Sequence, residues 1–194
     1  DARRALRIFN EKSNTTDIKR TDAFDLKFLD QSKSEEIQYI GKLSVNNSCF
    51  YREYVLGDDT PEMRATSMVI SQALQQPFYT EMRTNQQLGY IVWSFQQRME
   101  DRIFFRLLIQ SSTHGPFEMR KRVNAWLQST DKIFSKLTKE EFERHRQALI
   151  VGLEKEGDSI ASVLSDLYSL AVDEDGDFLY KKKLIDAVKK VKKS

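Results

Sequence analysis

The sequence predicts an α+β fold in which helices pack on one face of a mainly antiparallel sheet. Glycine and proline are scarce, at 7 and 3 of 194 residues, which favours long helices over an all-β fold. Strand-like stretches separated by short turns occupy the first half, and short turns join antiparallel strands. From Pro116 onward the apolar residues recur at helical spacing. Strands followed by a run of helices are typical of an α+β domain.

The composition is that of a folded, soluble domain. Hydrophobic residues make up 40% and charged residues 31% of the chain, a globular balance. The formal net charge of +2 gives no electrostatic footprint of nucleic acid or of a membrane surface. The apolar runs are far shorter than the roughly 20 residues needed to cross a bilayer. We therefore expect neither a nucleic-acid partner nor a membrane partner.

The first 20 or so residues are interpreted as the tail of a preceding domain and a linker, which leaves residues 21–194 for the domain itself. A helical stretch, ARRALRIFNE, is followed there by the polar, turn-rich KSNTTDIKRTD. Residues 37–43 suit a short strand, and residues 48–56 a firmer one. Both alternating sets of side chains in residues 48–56 are largely apolar or aromatic, so we expect that strand to be covered on both faces.

A helix is expected next, beginning at Pro61 with Thr60 as its N-cap. Its buried stripe consists of four apolar side chains, Met63, Ile70, Leu74 and Phe78. Pro77 lacks an N–H and clashes with the preceding turn, so we expect a kink or a restart, with a second short helix running to about Arg83. Residues 88–97 and 102–112 then form a pair of strands joined by a charged turn.

The remainder is predicted to be helical. One helix is marked by Phe117, Val123, Leu127 and Phe134. A capping box of Thr138 and Glu141 opens the next, with the stripe Phe142, Leu149 and Leu153. Asp158 and Ser159 cap a third, with an apolar face of Ile160, Val163, Leu164, Leu167 and Ala171. The last, from about Asp177, is expected to bury Leu184, Ile185 and Val188.

The residues contain no recognisable catalytic motif. His114 and His145 lie on different elements, and neither belongs to HExxH or HxxEH, so both are interpreted as surface histidines. Cys49, the single cysteine, is interpreted as a small buried hydrophobe rather than a reactive thiol. The acidic stretch 173–177 fails as an EF-hand and is interpreted as a solvated loop.

One stretch is more specific. Residues 83–92, RTNQQLGYIV, closely resemble the R-x-x-x-Q-L-G-Y-x-V segment in the C-terminal half of the pitrilysin and insulin-degrading-enzyme family. These are zinc metallopeptidases with an inverted HxxEH motif. The likeness extends over about residues 45–175, through QPFYTEMR, FFRLLIQSS and LTKEEFERHRQALI. It implies a metallopeptidase half-barrel of the LuxS/metalloenzyme-like type, the fourth unit of a peptidase whose N-terminal half carries the zinc.

The resemblance implies that Arg83 and Tyr90 bind the peptide substrate at that distant zinc site. Arginine offers five donors in a fixed fork and stays charged, so it can hold peptide carbonyls. A tyrosine hydroxyl can donate to the oxygen that gains charge during hydrolysis. Gly89 would let the backbone approach closely beside Tyr90. From the residues alone, the simpler alternative is that Arg83 pairs with an acid such as Glu81 and Tyr90 merely packs.

Family members often carry glutamate where this chain has Gln86, so an ion pair made there would be absent. We expect the chain to be a fragment that lacks a closing strand and the catalytic half. Such a fragment is expected to be inactive alone and to bind no zinc, because the zinc site belongs to the full-length parent. Relatives occur in the cytosol and the periplasm, so either compartment is open. The alternative is an inactive structural or regulatory subunit of the same fold that assembles with another chain.

Overall fold

The computed structural model describes residues 37–42 and 44–193. The chain divides into two units, Asp1–Tyr39 and Ile40–Ser194, and every helix and strand below belongs to the second. The predicted helical tail and linker in the first 20 residues lie outside the described residues. The strand predicted at residues 37–43 is wrong over residues 37–42, which are irregular. Alternating apolar residues do not form a strand without a partner strand to accept their hydrogen bonds.

The sheet has three antiparallel strands, β1 (Ser48–Asp58), β2 (Ile91–Met99) and β3 (Arg102–Ser111), in the order β1-β3-β2. The predicted hairpin of β2 and β3 is therefore confirmed, and β1 pairs with the other side of β3. Leu108 sits at the centre, opposite Tyr51 on one side and Trp93 on the other.

Helices cover one face of this sheet, as predicted. The covered face contributes Phe50, Val92, Phe105, Leu107 and Ile109 to the main core. The opposite face is open over its middle, where Trp93 and Tyr51 are 59% and 49% exposed. The prediction that β1 is covered on both faces is therefore wrong. Tyr51 and Glu53 are instead tied to each other and to Arg106 on this open face, which satisfies their polar atoms without a covering element.

Helix α1 (Pro61–Tyr79) begins as predicted, with the Met63 N–H donating to the Thr60 hydroxyl and Pro61 at the first helical position. It does not break at Pro77. It continues to Tyr79 and passes directly into a π-helix, Thr80–Asn85, in place of the predicted restart. Phe78 and Met82, both fully buried, hold the two segments against the core, where Phe78 meets Trp126 edge-on at 4.9 Å.

The predicted helix over residues 117–134 is two helices, α2 (Pro116–Leu127) and α3 (Thr130–Lys136), and Phe117 is exposed. The break arises because the Ser129 and Thr130 hydroxyls donate to the backbone carbonyls of Trp126 and Leu127. Helix α4 (Lys139–Glu154) opens with the predicted capping box.

Helix α5 (Ile160–Val172) has the predicted Ser159 cap, but none of its residues is buried. Its expected core face is on the surface, with Ile160 83% and Leu164 60% exposed. The last helix, α6 (Tyr180–Lys190), packs on α1 and α4 around Val69, Ile150, Leu184 and Val188. Across the described ranges, no helix is long and apolar enough to span a membrane.

Candidate functional site

Arg83 lies on the π-helix, in a segment whose other side is anchored by the buried Met82. The wider turn is closed by the Gln86 N–H, which donates to the Glu81 carbonyl at 2.9 Å. π-Helical turns are rare and occur frequently at functional sites. The local fold therefore gives Arg83 a fixed backbone while its side chain remains exposed.

Arg83 is not paired with Glu81. The Glu81 carboxylate accepts hydrogen bonds from the side-chain amides of Gln86 at 2.7 Å and Asn85 at 2.8 Å. These bonds, the one from Gln86 first, lower the pKa of Glu81. Within the described part of the chain, the Arg83 guanidinium forms neither an ion pair nor a hydrogen bond. The simpler alternative is therefore wrong in this respect, and all five donors are available.

Gln86 helps to keep Glu81 from pairing with Arg83. Its amide nitrogen donates to Glu81, while its amide oxygen faces the Arg122 guanidinium at 3.5 Å. A glutamate here would keep only the second of these contacts, because a carboxylate has no donor for Glu81. Gln86 therefore cannot form the ion pair that a glutamate could form at this position, as expected. It instead makes a hydrogen bond to Glu81, the acid nearest to Arg83 in sequence.

Tyr90 is reached by a tight return of the chain after the π-helix. The Leu88 N–H donates to the Met82 carbonyl at 2.9 Å, and the Tyr90 N–H donates to the Gln110 carbonyl at 3.0 Å. A Cβ on Gly89 would lie 2.3 Å from that same Gln110 oxygen, so the close approach predicted at Gly89 is present. Strand β2 begins one residue after Tyr90, which therefore lies beside the strand rather than inside it.

The Tyr90 side chain is 51% exposed and its hydroxyl has one protein partner among the described residues. The Asn47 side-chain amide donates to the hydroxyl oxygen at 2.9 Å. Since Asn47 fills a lone pair, the phenolic hydrogen is left to donate elsewhere. The sequence analysis missed Asn47, which precedes β1 and lies 43 positions away, because no spacing rule connects two such residues.

Arg83 and Tyr90 line one cleft of about 480 Å³. Gln86, Gln87, Gly89 and residues 111–114 also line it, so the lining contains neither aspartate nor glutamate among the residues that the structure describes. His114 belongs to this lining and is partly buried, where the sequence predicted a surface loop residue. The arrangement presents several hydrogen-bond donors to one open space, which suits a ligand rich in acceptor oxygens.

Three other predicted assignments change. His145 lies on α4 and is partly buried rather than exposed. Cys49 is exposed on the open sheet face, because it alternates in phase with Tyr51, and partial desolvation raises the pKa of its thiol. The 173–177 loop is anchored rather than merely solvated, since Glu174 accepts from Arg98 at 2.7 Å and from Arg64 at 3.2 Å.

The residues that the structure describes do not fit a zinc ion. Among them, no three histidine, cysteine, aspartate or glutamate side chains are grouped as a metal would require. His114 and His145 are on separate elements, whereas a zinc site needs three or four converging ligands. No step of a reaction is therefore assigned to a metal on this part of the chain.

The sequence and the fold match a known family. Residues 69–167, about half of the chain, match the profile described as PQQ synthase PqqF-like, C-terminal lobe domain 4. The chain belongs to this family. The matched range contains the π-helix, the β2–β3 hairpin and all of the described residues that line the cleft.

Similar proteins agree with this. The chain is 30% identical to insulin-degrading enzyme of Drosophila melanogaster over 122 residues, which are 63% of this chain and 12% of that enzyme. The crystal structure of pitrilysin superposes on it with a TM-score of 0.70 at 22% identity, over 77% of this chain and 16% of that one. An inactive peptidase domain of a putative zinc protease from Bordetella parapertussis matches with a TM-score of 0.59 at 16% identity, over 76% and 80%.

The resemblance seen in RTNQQLGYIV is confirmed, because these comparisons identify the chain as a C-terminal domain of the pitrilysin-family zinc peptidases. The α+β fold class is confirmed by the same superposition. The chain spans only about an eighth of the length of the fly enzyme that it matches.

Proposed function

We propose that this chain is the non-catalytic, substrate-binding C-terminal domain of a zinc-dependent endopeptidase or oligopeptidase of the pitrilysin type. Arg83 and Tyr90 bind and polarise the peptide substrate at a zinc site held by the N-terminal half of the same protein. The observation that supports this proposal concerns the described residues: among them, the Arg83 guanidinium has no partner, the phenolic hydrogen of Tyr90 is available, and the cleft that both line has no carboxylate in its wall.

The two side chains suit different parts of a peptide. The Arg83 fork carries a permanent charge and can bind two carbonyl oxygens at once, which fixes the direction of the backbone. The Tyr90 hydroxyl, with one lone pair filled by Asn47, donates to a carbonyl oxygen whose negative charge grows during hydrolysis. Tyr90 therefore contributes to turnover, whereas Arg83 contributes mainly to substrate binding.

The test is Tyr90→Phe in the full-length protein that carries this chain, with hydrolysis of a fluorogenic peptide as the measurement. Removing one such donor is expected to lower kcat by about two to three orders of magnitude. Tyr168→Phe, a tyrosine that is 68% exposed on α5, is the matched control and should leave kcat unchanged. Equal kcat values for Tyr90→Phe and the unchanged protein would overturn the assigned role.

The second candidate function is an inactive structural or regulatory subunit of the same fold that assembles with another chain. It is favoured by the exposed apolar side chains of α5, which suit burial against another protein surface. The inactive peptidase domain from Bordetella parapertussis has a similar fold. Peptide hydrolysis by the full-length protein separates the two candidates, because a purely structural subunit has none.

A further inference from the structure

The turn after β3 holds His114 through a chain of hydroxyl groups. The Ser111 hydroxyl oxygen, which is buried, accepts from the backbone N–H of Thr113 at 3.1 Å and of His114 at 2.9 Å. It also lies 3.3 Å from the Thr113 hydroxyl, which in turn lies 3.0 Å from the Nδ1 of His114. The imidazole is thus connected to the buried end of β3.

The numbers of hydrogens and lone pairs indicate the direction of each hydrogen bond between Ser111, Thr113 and His114. A serine hydroxyl has two lone pairs and one hydrogen, and both lone pairs of Ser111 are filled by the two backbone N–H groups. Its hydrogen therefore goes to the Thr113 oxygen. The Thr113 hydroxyl can then donate its own hydrogen to Nδ1 of His114. In this arrangement Nδ1 accepts a hydrogen bond, so the N–H of the ring is on Nε2, which is a donor.

His114 shares the cleft with the two residues of the proposed function. His114, Arg83 and Tyr90 all line the same space of about 480 Å³, and no other charged side chain of the described ranges lines it. Arg83 comes from the π-helix, Tyr90 from the start of the hairpin and His114 from its far end. A peptide lying in the cleft therefore meets donors that come from three segments of the chain.

We propose that His114 is a third substrate-binding residue, whose Nε2–H donates to a backbone carbonyl oxygen of the bound peptide. The inference rests on the proposed function, since it assumes that the ligand of this cleft is a peptide. A neutral N–H matches a neutral carbonyl, and an extended peptide presents such carbonyls along its length at about 3.3 Å per residue. His114 thereby sets where along the peptide the backbone is held.

The first experiment measures the tautomer directly in the 194-residue chain. Nitrogen NMR of the ¹⁵N-labelled His114 ring is expected to show a protonated Nε2 and an unprotonated Nδ1. Thr113→Val removes the hydroxyl while keeping the side-chain shape, so it should shift the tautomer population toward Nδ1–H. A ring that is predominantly Nδ1–H in the unchanged chain overturns the proposal.

The second experiment titrates the same chain with a capped, eight-residue unlabelled peptide and follows the amide spectrum. His114→Phe keeps a ring but loses the donor, and is expected to weaken binding by about three- to tenfold, the range of one neutral hydrogen bond. His114→Gln should retain most of the affinity, because its amide nitrogen lies near the position of Nε2. Equal affinities for His114→Phe and the unchanged chain overturn the proposal.

A set of thioamide peptides, each with one carbonyl oxygen replaced by sulfur, locates the contact. Sulfur accepts hydrogen bonds weakly, so the effect of His114→Phe should vanish for one member of the set and persist for the others. Arg83→Gln in the same titration separates the two levels of inference. If Arg83→Gln weakens binding and His114→Phe does not, only the role of His114 fails. If neither does, the proposed function of the cleft fails with it.

Discussion

The side-chain amide of Asn47 donates a hydrogen bond to the hydroxyl of Tyr90 at 2.9 Å. This contact joins the segment before β1 to the start of the β2–β3 hairpin, and it determines what the hydroxyl can do. With its oxygen already accepting, the hydroxyl is oriented to donate its own hydrogen. Asn47 is therefore expected to act as a positioning residue that works through Tyr90 without touching the substrate.

Replacement of Asn47 tests this role. Asn47→Ala in the full-length protein should lower kcat for peptide hydrolysis by about fivefold, as one neutral hydrogen bond is worth roughly 1 kcal/mol. Asn47→Asp should cost more, because the new carboxylate accepts the Tyr90 hydrogen instead of donating to its oxygen. In the Tyr90→Phe background both changes should have little further effect. An additive loss in that background would show that Asn47 acts independently of Tyr90.

Gly89→Ala adds only one methyl group but should strongly destabilise the domain. The added Cβ would lie 2.3 Å from the Gln110 carbonyl oxygen, which is also the acceptor of the Tyr90 N–H. Overpacking of this kind costs about 1 to 3 kcal/mol, measured as the free energy of unfolding in urea. Gly152→Ala is the matched control, since nothing lies within 4 Å of its added Cβ inside α4. It should stabilise the domain by about 0.5 to 1 kcal/mol.

The pKa of Glu81 provides a pH-dependent test. Hydrogen bonds from Gln86 and Asn85 lower this pKa from its ordinary 4.5. A folded-state pKa below the unfolded one stabilises the fold above pH 4.5, and that contribution disappears as the pH falls through the lowered value. Gln86→Met should raise the Glu81 pKa toward 4.5 and flatten the loss of stability in acid. Carboxyl-carbon NMR titration measures the pKa, and an unchanged value in Gln86→Met contradicts the assignment.

The loop at 173–177 should contribute to stability through Glu174. Its carboxylate contacts Arg64 and Arg98, and these two side chains and that of Asp59 are all mostly buried. Glu174→Gln leaves two arginines short of a counter-charge, so we expect a loss of about 1 to 3 kcal/mol in urea unfolding. Asp166→Asn breaks the more exposed pair with Lys181 and should cost less. Equal losses would mean that the network adds nothing beyond a surface ion pair.

Local signals in the sequence predicted much of the fold. Thr60 with Pro61, and Thr138 with Glu141, are short-range capping patterns, and both caps are present because each depends on residues within one helical turn. The β2–β3 hairpin was equally local. Predictions that needed knowledge of the surroundings were less successful. The apolar face of α5 was predicted to be buried, yet periodicity reports which residues share a face and not what covers it.

For the candidate site, too, the sequence indicated local features and missed those that depend on distant residues. A resemblance over ten residues indicated Arg83 and Tyr90, and the structure places both in one cleft. It did not indicate Asn47, which reaches the Tyr90 hydroxyl because β1 pairs with β3. Nor did it indicate His114, which lines the cleft in the turn directly after β3. The pairing of Arg83 with Glu81 was a reasonable alternative from spacing, but it ignored the competing amides of Asn85 and Gln86.

Because of the π-helix, the site depends on the number of residues in the segment before Tyr90 as well as on their identity. Each residue of an α-helix turns the chain by about 100°, and a π-helical segment accommodates extra residues within nearly the same axial length. Deleting the exposed Thr84 would let Thr80–Asn85 close as an ordinary helix and would swing Arg83 and Tyr90 apart, although neither residue is altered. Variation in the length of this segment is therefore expected to abolish the cleft, while variation in its exposed side chains is tolerated.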